Sequence, residues 1–321
     1  ASMLETARIL AGQRDLLRRE LRLAFWSGHS HARYGTSAWF ADEFWQDLHD
    51  HCAAHVNIDS PGGVGASGTS RIGSMAEAYP FARELFRELS GEELNYQRIG
   101  RGGDQSFWGV GVPSVCGKIY QQGSWDPRRT DLSGSFGWWW HTADDTMDKI
   151  DPANLARDAA ILLAATYRVA TDRVLPYDQT GPVDEIRGAL AEIAAAAGDA
   201  FDLATVMAEA DTLRETVERL NSRAGQPLTD EQARAINRGL LGVSRLLIPV
   251  NYTLSGPFGQ DPALGFPAVP GLRSAARLAA LPADSPERYL LLTALRRERN
   301  RVRAALIDAR RAVETALTAT A

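Results

Sequence analysis

Histidine and aspartate side chains occur where apolar segments of this 321-residue chain give way to turns. His29 follows a predicted strand at 21–27, Asp59 ends a predicted strand at 52–59, and His141 precedes a predicted helix. Ligands of open α/β sheets bind beyond the carboxyl ends of the strands. Imidazole and carboxylate groups at separate strand ends are the ligand types that zinc takes. The sequence makes these residues candidate metal ligands, and the alternative is ordinary turn caps and hydrogen-bonded core residues.

A glycine-rich turn, R-I-G-R-G-G-D-Q-S-F-W, places two further candidates after a predicted strand at 94–99. Asp104 is the polar side chain there. Gly103 could let the backbone approach a substrate, or could serve only to permit a positive φ in the turn.

Helices that alternate with short apolar strands predict an α/β sheet with helices on its faces in residues 1–175. Residues 176–321 contain no histidine and read as mostly helical. A Gly- and Pro-rich connector at 251–271 interrupts these helices, and a loop of that length is unusual unless it packs on something. The other predicted helices are 1–21, 36–49, 72–89, 152–173, 181–197, 201–222, 229–245 and 285–318, and a further strand is predicted at 113–120.

Bulk composition excludes several classes of protein. A net charge of −5 gives no electrostatic basis for binding nucleic acid. Two cysteines without a C-x-x-C motif exclude a cysteine zinc site and a disulfide framework. No apolar run approaches the roughly 18 residues of a membrane span. The chain also opens in the middle of a helix without a cap, which indicates a piece of something longer, and it indicates no cellular compartment.

Five segments in order resemble the zinc-dependent aminopeptidase and glutamate carboxypeptidase family. They are F-W-S-G, G-T-S-A-W-F-A-D, H-V-N-I-D-S, G-G-D-Q-S-F-W-G-V-G-V-P-S-V and W-H-T-A-D-D-T-M-D-K-I-D-P-A-N. Further along, R-V-A-T-D-R-V-L-P-Y-D is similar to the end of that family's protease domain. The helical tail, with N-Y-T-L-S-G-P-F-G-Q and F-P-A-V-P-G, is similar to the dimerisation domain of its transferrin-receptor branch. The similarity covers nearly the whole chain.

The resemblance implies a partial zinc-exopeptidase-type mixed sheet flanked by helices, followed by a mostly helical, transferrin-receptor-like dimerisation domain. It implies one or two zinc ions, a peptide or small amide substrate, and a homodimer. By position, Asp59 and His141 match zinc ligands of the family. Trp140 matches an aromatic residue that lines the substrate pocket, beside Gly103 and Asp104.

Two departures from the family pattern bear on activity. His29 and Ser30 stand where the family carries Glu-Glu, the general base followed by a zinc ligand. His29 could act as a base or bind metal. A serine hydroxyl is a poor zinc ligand, and the neighbouring His31 could replace it as a ligand. The family's H-x-D segment and bridging aspartate fall before residue 1, so we expect a second polypeptide to supply them or the site to be incomplete.

Three hypotheses therefore stay open. The first is a metallopeptidase-like hydrolase of the amino- or carboxypeptidase type, with Asp59 and His141 as zinc ligands and His29 as catalytic base or third ligand. The second is a non-catalytic relative that acts as a binding and dimerisation scaffold. The third is a metal site of altered chemistry built from the same three residues.

Overall fold

The computed structural model describes residues 1–27, 34–57, 59, 61–66, 73–100, 103–116, 139 and 142–320, and the elements below lie within them. The α-helices are α1 (Ser2–Ala11), α2 (Gly35–Glu43), α3 (Trp45–His51), α4 (Tyr79–Ser90), α5 (Pro152–Thr171), α6 (Thr180–Ala197), α7 (Ala204–Ala224), α8 (Asp230–Tyr252) and α9 (Pro286–Thr318). The strands are β1 (His55–Val56), β2 (Gly73–Ser74), β3 (Gln97–Arg98) and β4 (Ser114–Val115). Turns of 3-10 helix lie at Arg14–Leu16, Gly103–Phe107, Met147–Lys149, Gly198–Ala200 and Pro270–Ala280.

The chain forms two compact units that interleave along the sequence. The first unit contains Ala1–Phe25, Ala54–Ile99 and Ser114–Pro176. The second contains Trp26–Ala53, Gly100–Pro113 and Tyr177–Ala321. The division into domains at 1–175 and 176–321 stays a prediction.

Short parallel strands form two two-stranded sheets in the first unit. β1 pairs with β4, with His55 opposite Ser114, and β2 pairs with β3, with Gly73 opposite Gln97. A hydrogen bond from Met75 N to Ser114 O (3.2 Å) links the two pairs. Parallel strands need a crossover connection, and α4 provides it between β2 and β3.

The core of the first unit is built by helix faces. The buried face of α4 carries an apolar set, and α5 presents another at helical spacing. α5 packs against α1, α4 and β1. The buried apolar residues of α4 and α5 are Phe81, Ala82, Leu85, Phe86, Ile161, Leu162, Ala165, Val169 and Ala170.

The second unit combines the helical tail with two segments from the first half of the sequence. Among the tail helices, α6 packs against α7, and α9 packs against both α7 and α8. A separate apolar cluster joins α2 and α3 to residues 107–112, through Ala41, Leu48, Phe107, Val110 and Val112. The Trp108 ring contacts the ring of Tyr252, with centroids 5.3 Å apart, so the 107–112 segment also packs on α8.

Four of the predicted helices are confirmed to within a few residues, and one predicted strand is wrong. α5, α6, α7 and α9 start and end within three residues of their predicted limits, whereas α8 continues to Tyr252. The predicted helix at 1–21 ends at Ala11, and residues 21–27 form no strand. A strand needs a hydrogen-bonded neighbour, and none of the strands in the described residues pairs with 21–27.

No helix in the described part of the chain is long and apolar enough to cross a bilayer.

Candidate functional site

The predicted site residues fall partly outside the described residues. His29, His31, Trp140 and His141 lie outside them. Asp59 is described and belongs to the first unit. Gly103 and Asp104 begin the 3-10 turn Gly103–Phe107 of the second unit, and each unit is described by itself.

Asp59 lies beyond the carboxyl end of β1, because the strand ends at Val56 and not at residue 59 as the sequence predicts. It follows Val56, the last residue of that strand, by three positions and is half-buried. The hydrogen bond from Asn57 N to Val115 O (3.4 Å) continues the pairing of β1 with β4 past the strand end. This edge of a parallel sheet is where ligands bind in open α/β folds.

The residues after Asp59 form a loop at 61–66, here called the 61–66 loop, that is bonded to the segment after His141. Val64 N donates to Lys149 O (2.9 Å), and Asp151 N donates to Gly62 O (2.8 Å). Gly63 and Ile150 form an antiparallel bridge. The chain shortly after one predicted ligand is therefore joined to the chain shortly after the other, within a single compact unit.

Helix α5 begins immediately after this bridge and has a well-formed N-terminus. The Asp151 carboxylate accepts hydrogen bonds from Ala153 N (2.8 Å) and Asn154 N (3.0 Å). Pro152 occupies the first turn, where its missing N–H costs nothing. These local signals fix where α5 starts, and so they fix the segment to which the 61–66 loop is bonded.

In the second unit, the turn that carries Gly103 and Asp104 is tied to the long connector. Gln105 Nε2 donates to Pro262 O (3.0 Å) and Leu264 O (3.2 Å). Gln260 Nε2 donates to Ser106 O (3.3 Å). The connector thus packs on this turn, which accounts for a loop of its length in the sequence.

Sequence reasoning missed the polar residues of α5 that hold the 61–66 loop. Each of Asn154, Arg157 and Asp158 makes a side-chain hydrogen bond to the backbone of this loop. The sequence predicts them as part of an amphipathic helix, where a charged side chain normally faces solvent. An aspartate at a position that the helical period assigns to the buried face was the available signal.

The chemistry of the predicted donor set fits zinc, because Asp59 would supply a carboxylate and His141 and His29 would supply imidazoles. Among the described residues, no three His, Cys, Asp or Glu side chains come together in a group that could hold a metal ion. Asp59 is the one member of the predicted set that these residues include.

These features define a class: a mixed α/β protein, mostly helical, with short parallel strands and a polar residue after a strand end. The sequence profile of peptidase family M28 matches residues 1–166. That match covers more than half of the chain, and the chain belongs to peptidase family M28. Membership supports a peptidase-like hydrolase as the general class. No individual curated protein matches the chain.

Proposed function

We propose that the protein is a zinc-dependent exopeptidase-like hydrolase that cleaves a peptide or small amide. In this proposal Asp59 and His141 ligate the metal, and His29 is the general base or a third ligand. Trp140, Gly103 and Asp104 contribute to the substrate pocket. When bound, zinc would polarise the substrate carbonyl and activate a water molecule.

Family membership and one structural observation support the proposal. The observation is the set of backbone bonds between the 61–66 loop and residues 149–151. Gly62 is three residues after Asp59, and Asp151 is ten residues after His141. Because a residue spans at most about 3.6 Å of chain, Asp59 lies within roughly 11 Å of the bonded segment. The segment that follows Asp59 is therefore bonded to a segment that follows His141 in the sequence.

The chain's own residues divide the remaining work. A histidine has a pKa near neutrality, so His29 can take a proton from water and later return it to the leaving amine. The family's glutamate base does the same with a carboxylate, and the imidazole replaces it without adding a negative charge.

The homodimer implied by the helical tail stays a prediction.

The test measures metal content and hydrolysis on the same purified full-length protein. Zinc per chain is determined by elemental analysis, and activity is assayed on aminoacyl anilides and on dipeptides with free or blocked amino termini. Changing a group that only orients a metal ligand lowers metal affinity by ~10–100-fold. Asp59→Asn and His141→Gln change the ligands themselves, so each should lower zinc affinity by more than that. His29→Gln should lower kcat by at least ~100-fold, the range of a general base.

Matched substitutions on exposed residues serve as controls. Asp144→Asn and His51→Gln repeat the same chemical changes at exposed positions of the described chain and should leave zinc and activity unchanged. Wild-type protein that binds no zinc and hydrolyses none of the substrates would overturn the proposal and favour a non-catalytic scaffold. One tightly bound ion that is lost in His29→Gln, without hydrolysis by the wild type, would instead indicate a metal site of altered chemistry.

A further inference from the structure

Helix α5 holds the 61–66 loop with side chains from its first two turns. Asn154 Nδ2 donates to Gly63 O (3.0 Å), and Arg157 Nη2 donates to Ala66 O (3.1 Å). Gly62 N donates to Asp158 Oδ2 (2.8 Å). Three residues of the loop, Gly62, Gly63 and Ala66, are therefore bonded to side chains of one helix, in addition to the backbone bonds to residues 149–151.

Asp158 is the unusual member of this set because its side chain is fully buried. A buried carboxylate is costly unless it is paired and hydrogen-bonded. Here Oδ1 accepts from Arg157 Nε (2.8 Å), and Oδ2 accepts from Gly62 N. Both bonds are charge-assisted, and bonds of this type are shorter and stronger than neutral ones. The carboxylate thus holds a single backbone amide of the loop in a defined place.

The loop itself has little to keep it in one conformation. Gly62 and Gly65 both have positive φ (79° and 75°), and glycine gives up more conformational freedom on ordering than any other residue. Val64 and Gly65 are exposed and contribute little burial. Hydrogen bonds from outside the loop must therefore supply the order, and the charged one at Gly62 lies nearest in sequence to Asp59.

We propose that Asp158 is a positioning residue for Asp59. Through the N–H of Gly62 it fixes the start of the 61–66 loop, and it thereby sets the direction in which the Asp59 carboxylate leaves the end of β1. This role rests on the proposed function, in which Asp59 is a zinc ligand. Changing a group that orients a metal ligand typically lowers metal affinity by ~10–100-fold.

The experiment compares Asp158→Asn and Asp158→Ala in the full-length protein. The asparagine keeps the shape of the side chain and one acceptor for Gly62 N, but it loses the charge. The alanine removes the acceptor altogether. Zinc affinity is measured by competition with a chelator, and hydrogen exchange is followed in the peptide that covers 59–66. We expect zinc affinity to fall by about tenfold or more in Asp158→Ala and by less in Asp158→Asn, with faster exchange in that peptide.

A second substitution on α5 separates positioning from general loss of stability. Ile161 is fully buried on the same helix and has no bond to the loop. Ile161→Val or Ile161→Ala, whichever matches the urea midpoint of Asp158→Ala, should leave zinc affinity and exchange at 59–66 at the wild-type level. If Asp158→Ala fails to fold, Asp158→Asn and Ile161→Val form the matched pair.

The outcomes distinguish the two proposals. Zinc bound by the wild type and equally by Asp158→Asn, Asp158→Ala and the Ile161 variant would overturn the positioning role and leave the proposed function standing. Equal losses in the Asp158 and Ile161 variants would also overturn it, since they would reflect stability alone. Wild-type protein without zinc would overturn the proposed function, and the positioning role with it. Loss confined to the Asp158 variants, graded from Asn to Ala, supports the inference.

Discussion

Gly62 combines two constraints that exclude any side chain at its position. Its φ of 79° lies in the left-handed region, where an L-residue is strained. A Cβ added there would lie 2.8 Å from Leu155 Cβ and 3.1 Å from Leu155 Cα, closer than real carbon atoms approach. The close approach is what lets the 61–66 loop lie against α5.

Replacing Gly62 with alanine should therefore lower the free energy of unfolding by about 3 kcal/mol, from backbone strain plus overpacking against Leu155. Urea denaturation measures this loss. Gly91→Ala is the control, because Gly91 has nearly the same φ (72°) and no atom lies within 4 Å of its added Cβ. That variant should lose only the strain term, about 1–2 kcal/mol. Equal losses for the two variants would show that Leu155 yields without cost.

The sequence predicts which residue types occur near a strand end better than it predicts which distant residues they contact. A strand that ends close to Asp59 could be predicted, because a short apolar run and the turn S-P-G-G mark the end locally, although the strand stops at Val56. The roles of Gly62 and Asp158 could not be predicted in the same way. Each depends on a partner more than 90 residues away, and no local pattern names such a partner.

At the scale of elements, amphipathic helices were predicted well and strands poorly. α5, α6 and α9 repeat apolar residues over five or more turns, so their period is unambiguous. Each described strand is two residues long, too short to show a period. The predicted helix at 36–49 is interrupted at Phe44, whose φ of −110° and ψ of 25° separate α2 from α3. The predicted helix at 72–89 begins only at Tyr79, because residues 73–74 pair as β2.

Arg245 of α8 joins three elements of the second unit through one guanidinium group. Nε donates to His49 O (2.5 Å), Nη1 to Gly111 O (2.6 Å), and Nη2 to Leu48 O (3.2 Å) and to Cys52 O. Three of the four carbonyls lie at the C-terminal end of α3, where a cation is favoured by the helix dipole. Burial lowers the pKa of Arg245 from its usual value, which reflects the cost of desolvating the charge.

Arg245→Lys should lower the free energy of unfolding by about 2–4 kcal/mol, because an ammonium group cannot reach four carbonyls and leaves at least one of them buried without a donor. Chemical denaturation of the full chain checks this value. Arg238→Lys, on an exposed position of the same helix, should change the stability by less than about 0.5 kcal/mol. A similar small effect at Arg245 would mean that water or a side-chain shift satisfies these carbonyls.

At the scale of the whole molecule, the second unit is assembled from three separate stretches of sequence. Composition alone predicts a change of character near residue 175, because all six histidines precede it and the residues after it read as mostly helical. It could not indicate that Trp26–Ala53 and Gly100–Pro113 pack with the helical tail. That association depends on long-range contacts, such as those of Arg245 with α3 and of Trp108 with Tyr252.

Because the second unit is assembled from separate stretches, the contribution of Arg245 to the free energy of unfolding should depend on the presence of the residues before 177. A fragment of residues 177–321 keeps the packing among α6–α9 but lacks all four carbonyls that Arg245 binds. Arg245→Lys should therefore change the stability of this fragment by less than about 0.5 kcal/mol. Ile236→Val, a change at a fully buried position of α8, should cost about 0.5–1.5 kcal/mol in the fragment and in the full chain alike. Urea midpoints followed by circular dichroism measure both. If Arg245→Lys destabilises the fragment as much as the full chain, the residue acts within the helical tail, and its bonds to α3 and Gly111 contribute no stability.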